Sequence, residues 1–285
     1  MQLTNHIHAI KIPFKVNLPG GIALDRFVYV YLIYGDKVYL IDSGVKGSEK
    51  AIFDYVNATG RDPHDIDMLI LTHSHPDHIG AAQAIQEQTG CMIAAHKGER
   101  DWIENIDLQF KERPIPGFYG FVGGSVEIDR ILEENEILKL SGGISLKVIP
   151  TPGHSRGSIA LYLEQERTLF AGDAILRSGG LPVYEDIGDT VTSLKKLKTI
   201  GNIDLLLSAW DDPRKGGEVP RVIDDALKYL ERIHQTVIRI HETNPQDMME
   251  LCTQVVTELG LPQGAVNPLV ARSFISHVKA GSILF

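Results

Sequence analysis

The stretch "LTHSHPDHIG", residues 71 to 80, closes an apolar run and sets three histidines and an aspartate within six positions. The run itself, "IDMLILTH" (66 to 73), is apolar almost without interruption, the pattern of a strand buried on both faces. At i and i+2, His73 and His75 leave an extended segment on the same side, and Pro76 helps the chain to turn. Asp77 and His78 then open a helix expected over 77 to 90, where the helix N-terminus favours a carboxylate. The stretch therefore reads as strand, turn and helix, with its polar residues gathered at the strand's end.

Reading outward on both sides gives an alternating α/β pattern. "FVYVYLIYG" (27 to 35) and "KVYLIDSG" (37 to 44) are rich in β-branched and aromatic residues and read as a hairpin entering a sheet. "SEKAIFDYVNATG" (48 to 60) has helical spacing and stops at glycine, and "CMIAAH" (91 to 96) reads as the next strand. The segment from 104 to 130 is rich in proline, glycine and aromatics without a clean period, which suggests a lid or substrate loop. Its aromatics Phe110, Phe118, Tyr119 and Phe121 are expected chiefly to cover core, with Tyr119 the candidate substrate contact. Strand-like runs resume at "ISLKVIPTPG" (144 to 153), "SIALYLEQERTLFAGD" (158 to 173) and "IDLLLSAW" (203 to 210). From Glu218 onward the pattern is helical, so the expected organisation is a core domain over 1–215 and a helical extension over 216–285.

Asp42, His154 and Asp173 also fall just past apolar runs. Strand ends of an α/β sheet converge on one rim, where ligands bind. A mixed imidazole and carboxylate set suits zinc, manganese or iron. Net charge of −9 and a pI near 5.6 argue against a broad phosphate-binding face, so nucleic acid is not the expected partner. Cys91 and Cys252 lie far apart and do not make a disulfide framework. No secretory signal and no apolar run of membrane-spanning length are present, so the expected location is the cytoplasm and no membrane partner is foreseen.

"THSHPDHIG" resembles the His-x-His-x-Asp-His motif of the metallo-β-lactamase superfamily. "LIDSG" (40 to 44) is similar to that family's first motif, "TPGHSRGS" (151 to 158) to its third, and "LFAGDAI" (169 to 175) to its fourth, in the family's order. The resemblance implies a four-layer αββα sandwich with a metal centre at one edge of its two sheets. It implies that His73, His75 and His154 form a first metal site, that Asp77 and His78 belong to a second, and that Asp173 bridges the two. Asp42 would orient a ligand from behind, and Asp77 and His78 are the catalytic candidates.

One motif departs from the family. Members with a full dinuclear site usually carry a last histidine after the final core strand, whereas this chain has "LLLSAWDDP" (205 to 213), with Trp210 at or near that position. Asp211 or Asp212 substitutes as a ligand, or the second site is weak or empty with Trp210 beside it, or His277 reaches in from the extension. The resemblance implies a hydrolase of a small ester, thioester or lactone that attacks with a metal-bound hydroxide, using one or two divalent ions, zinc first and iron or manganese otherwise. The alternative is a mononuclear iron oxidoreductase acting on a sulfur compound, akin to persulfide dioxygenases. Tyr184 and Trp210 join Tyr119 as candidate substrate contacts, and a homodimer supported by the C-terminal helices is a further expectation.

Overall fold

The structure is a computed structural model and describes residues 1–17, 23–243 and 245–285. Alternating β-branched and aromatic residues build the first hairpin: β1 (Ile7–Asn17) pairs antiparallel with β2 (Ala23–Tyr34), with Ile7 opposite Ile33. A turn at Gly35–Lys37 leads into β3 (Val38–Ile41), antiparallel to β2 as the sequence implies. From β3 the sheet continues parallel through β4 (Ile66–Leu71), β5 (Met92–His96) and β6 (Arg130–Leu132).

Parallel neighbours need crossovers. These are α1 (Ser48–Ala58) before β4, α2 (Pro76–Ile79) and α3 (Ala82–Thr89) before β5, and α4 (Arg100–Glu104), α5 (Ile106–Glu112) and α6 (Phe118–Phe121) before β6. A second sheet, also six-stranded among the described residues, runs in the order β12-β11-β10-β9-β8-β7. Its members are β7 (Ile137–Lys139), β8 (Ser145–Pro150), β9 (Ile159–Leu163), β10 (Thr168–Gly172), β11 (Leu205–Ser208) and β12 (Arg214–Lys215). Helix α7 (Ile187–Thr199) precedes β11. Two sheets with flanking helices make the α/β architecture that the resemblance implies, the αββα sandwich, followed by C-terminal helices α8 (Glu218–His241), α9 (Met248–Leu259) and α10 (Pro268–Ala280).

Contacts divide the chain into two compact units, Met1–Ile149 with Leu161–Glu166 and Ser208–Trp210, and Pro150–Ala160 with Arg167–Leu207 and Asp211–Phe285. In the first, β4 is buried along nearly its whole length, and Leu69 and Leu71 share a core with Leu32, Leu40, Ile52 and Ile85. In the second, α8 carries Val219, Ile223, Ala226, Leu230, Ile233, Val237 and Ile240 buried at spacings of four and three, a stripe that packs against α9 and α10.

Two expectations are corrected. The helix foreseen over 77 to 90 is interrupted, because Gly80 lies where the backbone crowds in: a Cβ there would fall 2.2 Å from the Phe121 carbonyl oxygen and 2.6 Å from the Lys46 nitrogen. Its N–H donates to the Gly44 carbonyl, so α2 and α3 are separate pieces. The segment from 104 to 130 is no open loop. It holds α5 and α6, with Phe118, Val122 and Val126 buried in the first unit's core and Phe110 and Phe121 packed against it.

Among the described residues no helix is long and apolar enough to cross a membrane. Cys91 and Cys252 are free buried thiols, and burial pushes the pKa of each up.

Candidate metal centre

The end of β4 delivers Thr72, His73, Ser74 and His75 in sequence, and β3 delivers Asp42 beside them. Asp42 adopts φ 62°, a left-handed conformation that aspartate tolerates better than most residues. Its Oδ1 accepts the Thr72 N–H at 2.8 Å, and its Oδ2 lies 2.8 Å from both Thr72 Oγ1 and His78 Nδ1. A carboxylate only accepts, which assigns the proton to His78 Nδ1 and leaves Nε2 as the donor nitrogen of that ring. His78 Nε2 is 3.4 Å from Asp77 Oδ2. His73 Nε2 faces His75 Nδ1 at 3.0 Å, and the His73 and His78 rings lie 3.9 Å apart. His73, His75 and His78 are all buried, at 1%, 3% and 0% exposure.

Burying three imidazoles beside two carboxylates costs free energy unless charge and hydrogen bonds are compensated. Asp77 Oδ2 is itself buried and accepts no hydrogen bond. His73 Nε2 and His75 Nδ1, buried and facing each other at 3.0 Å, form a pair of nitrogen donors that fits a divalent cation.

A device that the sequence reading missed fixes the His-Ser-His backbone. Ser74 donates through both N–H and Oγ–H to Glu99 Oε2, while Gln109 Nε2 donates to the Ser74 carbonyl at 2.6 Å. Glu99 and Gln109 are buried, and every polar group of Ser74 is thereby engaged. Nothing local in the sequence marks Glu99, which sits 25 residues from Ser74 just past β5.

In the second unit the "TPGHS" loop carries His154. Gly153 adopts φ 126°, and a Cβ there would lie 2.4 Å from the Thr190 nitrogen, so glycine is required for the loop to dock on the start of α7. The Gly153 carbonyl accepts the Glu185 and Asp186 N–H groups. His154 Nδ1 donates to the Val183 carbonyl at 2.8 Å, and its Nε2 is 3.3 Å from Asp173 Oδ2, just past β10. As at His78, an acceptor on Nδ1 turns Nε2 outward as the donor atom.

The sequence profile of the metallo-beta-lactamase superfamily matches residues 23–212, more than half of the chain. This chain belongs to that superfamily. It is 29% identical over 220 residues to a beta-lactamase-like protein 2 homolog of Caenorhabditis elegans, covering 75% of this chain and 63% of that one. To an acyl-coenzyme A thioesterase (MBLAC2) of Gallus gallus it is 29% identical over 193 residues, 59% of this chain and 65% of that one. The chain thus spans a little under two thirds of the length of either relative. Other relatives bear the names probable metallo-hydrolase and hydroxyacylglutathione hydrolase. Among solved structures, a metallo-beta-lactamase family protein (TTHA1429) from Thermus thermophilus matches with a TM-score of 0.74 at 20% identity, covering 95% of this chain and 92% of that one, a likeness of fold.

As a metallo-beta-lactamase superfamily member the chain is of metallo-hydrolase class, and the superfamily uses divalent metals. Among the described residues, the side chains able to hold an ion are His73, His75 and His78 in the first unit and His154 and Asp173 in the second; Asp77, expected as a ligand, is not among them. At the position where many superfamily members have a last histidine, Trp210 packs edge-on against Phe14 at 5.9 Å and is 36% exposed. Asp211 turns both carboxylate oxygens to Arg214, at 2.9 and 3.0 Å, a bidentate pair that occupies the acceptor face a metal would use. Asp212 begins the turn beside it, its N–H donating to Asp211 Oδ1.

His277 is fully buried, with Nε2 at 2.6 Å from the Tyr184 hydroxyl and Nδ1 at 3.1 Å from His234 Nδ1. Tyr184 is likewise buried, and burial pushes its pKa well up. Tyr119 is half exposed, and its hydroxyl donates to Asp107.

Proposed function

We propose that this chain hydrolyses a small ester, thioester or lactone at a zinc centre. The carrying observation is the matched orientation of two histidines, His78 of α2 by Asp42 and His154 of the loop after β8 by the Val183 carbonyl, each leaving Nε2 as donor. His73, His75 and His154 are assigned to the first ion, and His78, Asp77 and Asp173 to the second. Such ions, when bound, acidify water and polarise the carbonyl under attack. The protein's own groups do the rest. Asp42 and Val183 fix ring orientation, Glu99 and Gln109 hold the His73–His75 backbone rigid, and Asp77, 18% exposed, relays a proton to the leaving oxygen or sulfur when the second ion is absent.

With Asp211 committed to Arg214, we assign it no role as a ligand, and the second ion binds more weakly than the first. The names of the thioesterase and hydroxyacylglutathione hydrolase relatives put thioesters first in the substrate class. On this reading residues 1–215 form the catalytic part, the helices beyond 216 serve it, and the enzyme works on a small molecule in a reducing cytoplasm.

The test is turnover of a panel of esters, thioesters and lactones by zinc-loaded protein, with metal content measured alongside. The expected result is one tightly held zinc, a second lost first on dilution, and turnover that His75→Ala reduces by more than the ~10–100-fold of an outer-shell change. No turnover that depends on His75 anywhere in the panel would overturn the proposal.

The Trp210 position and the engaged Asp211 also favour a second reading, a single iron that oxidises a sulfur compound. One iron per chain with oxygen consumed on addition of a persulfide selects it, whereas zinc with hydrolysis rejects it.

A further inference from the structure

His154 Nδ1 is aimed by the Val183 carbonyl, and the "TPGHS" loop holds the segment just after it, through the Gly153 carbonyl that accepts the Glu185 and Asp186 N–H groups. A second hold comes from the far end of the chain. Tyr184, the next residue, is clamped at its backbone by Ser273 of α10: its N–H donates to Ser273 Oγ at 2.9 Å, and Ser273 Oγ–H donates to its carbonyl at 2.7 Å. One helical turn on, His277 takes the side chain, with Nε2 2.6 Å from the Tyr184 hydroxyl. Residues four apart share a helix face, so Ser273 and His277 grip backbone and ring of the same tyrosine.

All three groups are buried, at 0%, 0% and 4% exposure for Ser273, His277 and Tyr184. The phenol, kept neutral by burial, is a donor and finds its acceptor in His277 Nε2. That assigns the proton of a neutral His277 to Nδ1, where His234 of α8 accepts it at 3.1 Å. The result is a continuous chain of hydrogen bonds from α8 through α10 to Tyr184, one residue from the carbonyl that aims His154.

We propose that Ser273 and His277 are positioning residues of the metal centre, holding the Val183–Tyr184 segment so that the Val183 carbonyl keeps His154 Nε2 turned to the ion. This rests on the metal-centre reading above. It gives the C-terminal helices a part in metal binding that their sequence does not announce, and it gives Tyr184 a structural hydroxyl in place of a substrate contact.

The test uses the full chain loaded with cobalt(II), read by its visible absorption and by competition with a chromophoric chelator. Ser273→Ala and His277→Leu are compared with Val270→Ala, which truncates a buried residue of the same helix outside the hydrogen-bond chain. Tyr184→Phe removes only the hydroxyl and keeps the ring packed. Expected are about ten-fold weaker cobalt binding and an altered absorption band for Ser273→Ala and His277→Leu, and a smaller loss for Tyr184→Phe. Val270→Ala should match the wild type in both readouts while losing thermal stability. His277→Gln, whose amide oxygen can still accept from Tyr184, should recover most of the affinity. Unchanged cobalt binding in Ser273→Ala and His277→Leu, or an equal loss in Val270→Ala, overturns the positioning role alone. Wild-type protein that takes up no cobalt, or takes it up no better than His75→Ala, overturns the metal-centre reading and this proposal with it.

Discussion

Asp42 shows how much one side chain can settle. Its two oxygens take the Thr72 N–H, the Thr72 hydroxyl and His78 Nδ1, while its own backbone sits at φ 62°. Asparagine tolerates the same φ, so Asp42→Asn keeps the backbone path and removes only the charge. Its amide no longer offers a carboxylate to His78 Nδ1, and the ring loses the partner that fixes its tautomer. A zinc titration should show the second ion bound ~10–100-fold more weakly, with the first ion and the melting temperature little changed. Equal loss of both ions would instead make Asp42 a prop for the whole cluster. Glu99 works on the backbone as Asp42 works on a ring, since it pins Ser74 between the two histidines.

Elements position these residues through packing, and there the sequence pattern is a partial guide. The apolar and polar spacing across 76–89 suits one helix, yet α2 ends at Ile79 and α3 begins at Ala82 because Gly80 passes within backbone contact of Phe121, Lys46 and Pro76. Gly80→Ala would drive a methyl group into carbonyl oxygens that cannot retreat. A loss of roughly 3 kcal/mol or more in urea unfolding is expected, more than ordinary overpacking costs. A loss under 1 kcal/mol would mean that the crossing relaxes easily. Helix α8 is the opposite case, a regular amphipathic helix whose stripe was readable from spacing alone. Leu230 lies at its centre with no exposure, and Leu230→Ala should cost about 2–5 kcal/mol by the same measurement.

For the whole molecule, acid sensitivity follows from one buried ring. Burial first, and the neighbouring His234 second, lower the pKa of His277 from 6.5 to about 3. Below pH 6.5 the unfolded chain binds a proton at this residue that the folded chain refuses, so the unfolded state gains as pH falls. The contribution is therefore fully present above pH 6.5 and is lost progressively down to about 3, at up to about 1.4 kcal/mol per pH unit. Urea unfolding at pH 7 and pH 5 should show wild-type protein losing about 2 kcal/mol more than His277→Gln, which has nothing to protonate there. An identical pH dependence in the two proteins would show that His277 accepts its proton without unfolding.

By itself the sequence determined the α/β class, the hairpin of β2 and β3, the buried strand β4, helices α1 and α8 to α10, and the histidines and aspartates past the strand ends. Each of these is a local pattern, a period of two or 3.6 residues or a fixed spacing such as that of His73 and His75, so neighbouring residues suffice to reveal it. Only the tertiary structure decided that α5 and α6 pack on the core with Gln109 reaching Ser74, that Glu99 holds the same serine, and that the Val183 carbonyl aims His154. It also turned Asp211 to Arg214, and Tyr184 and His277 to one another. These contacts join residues that only the backbone path brings together, or select one hydrogen-bond partner among several that the sequence leaves equally open. Buried polar groups must be satisfied somewhere, and the fold alone fixes where.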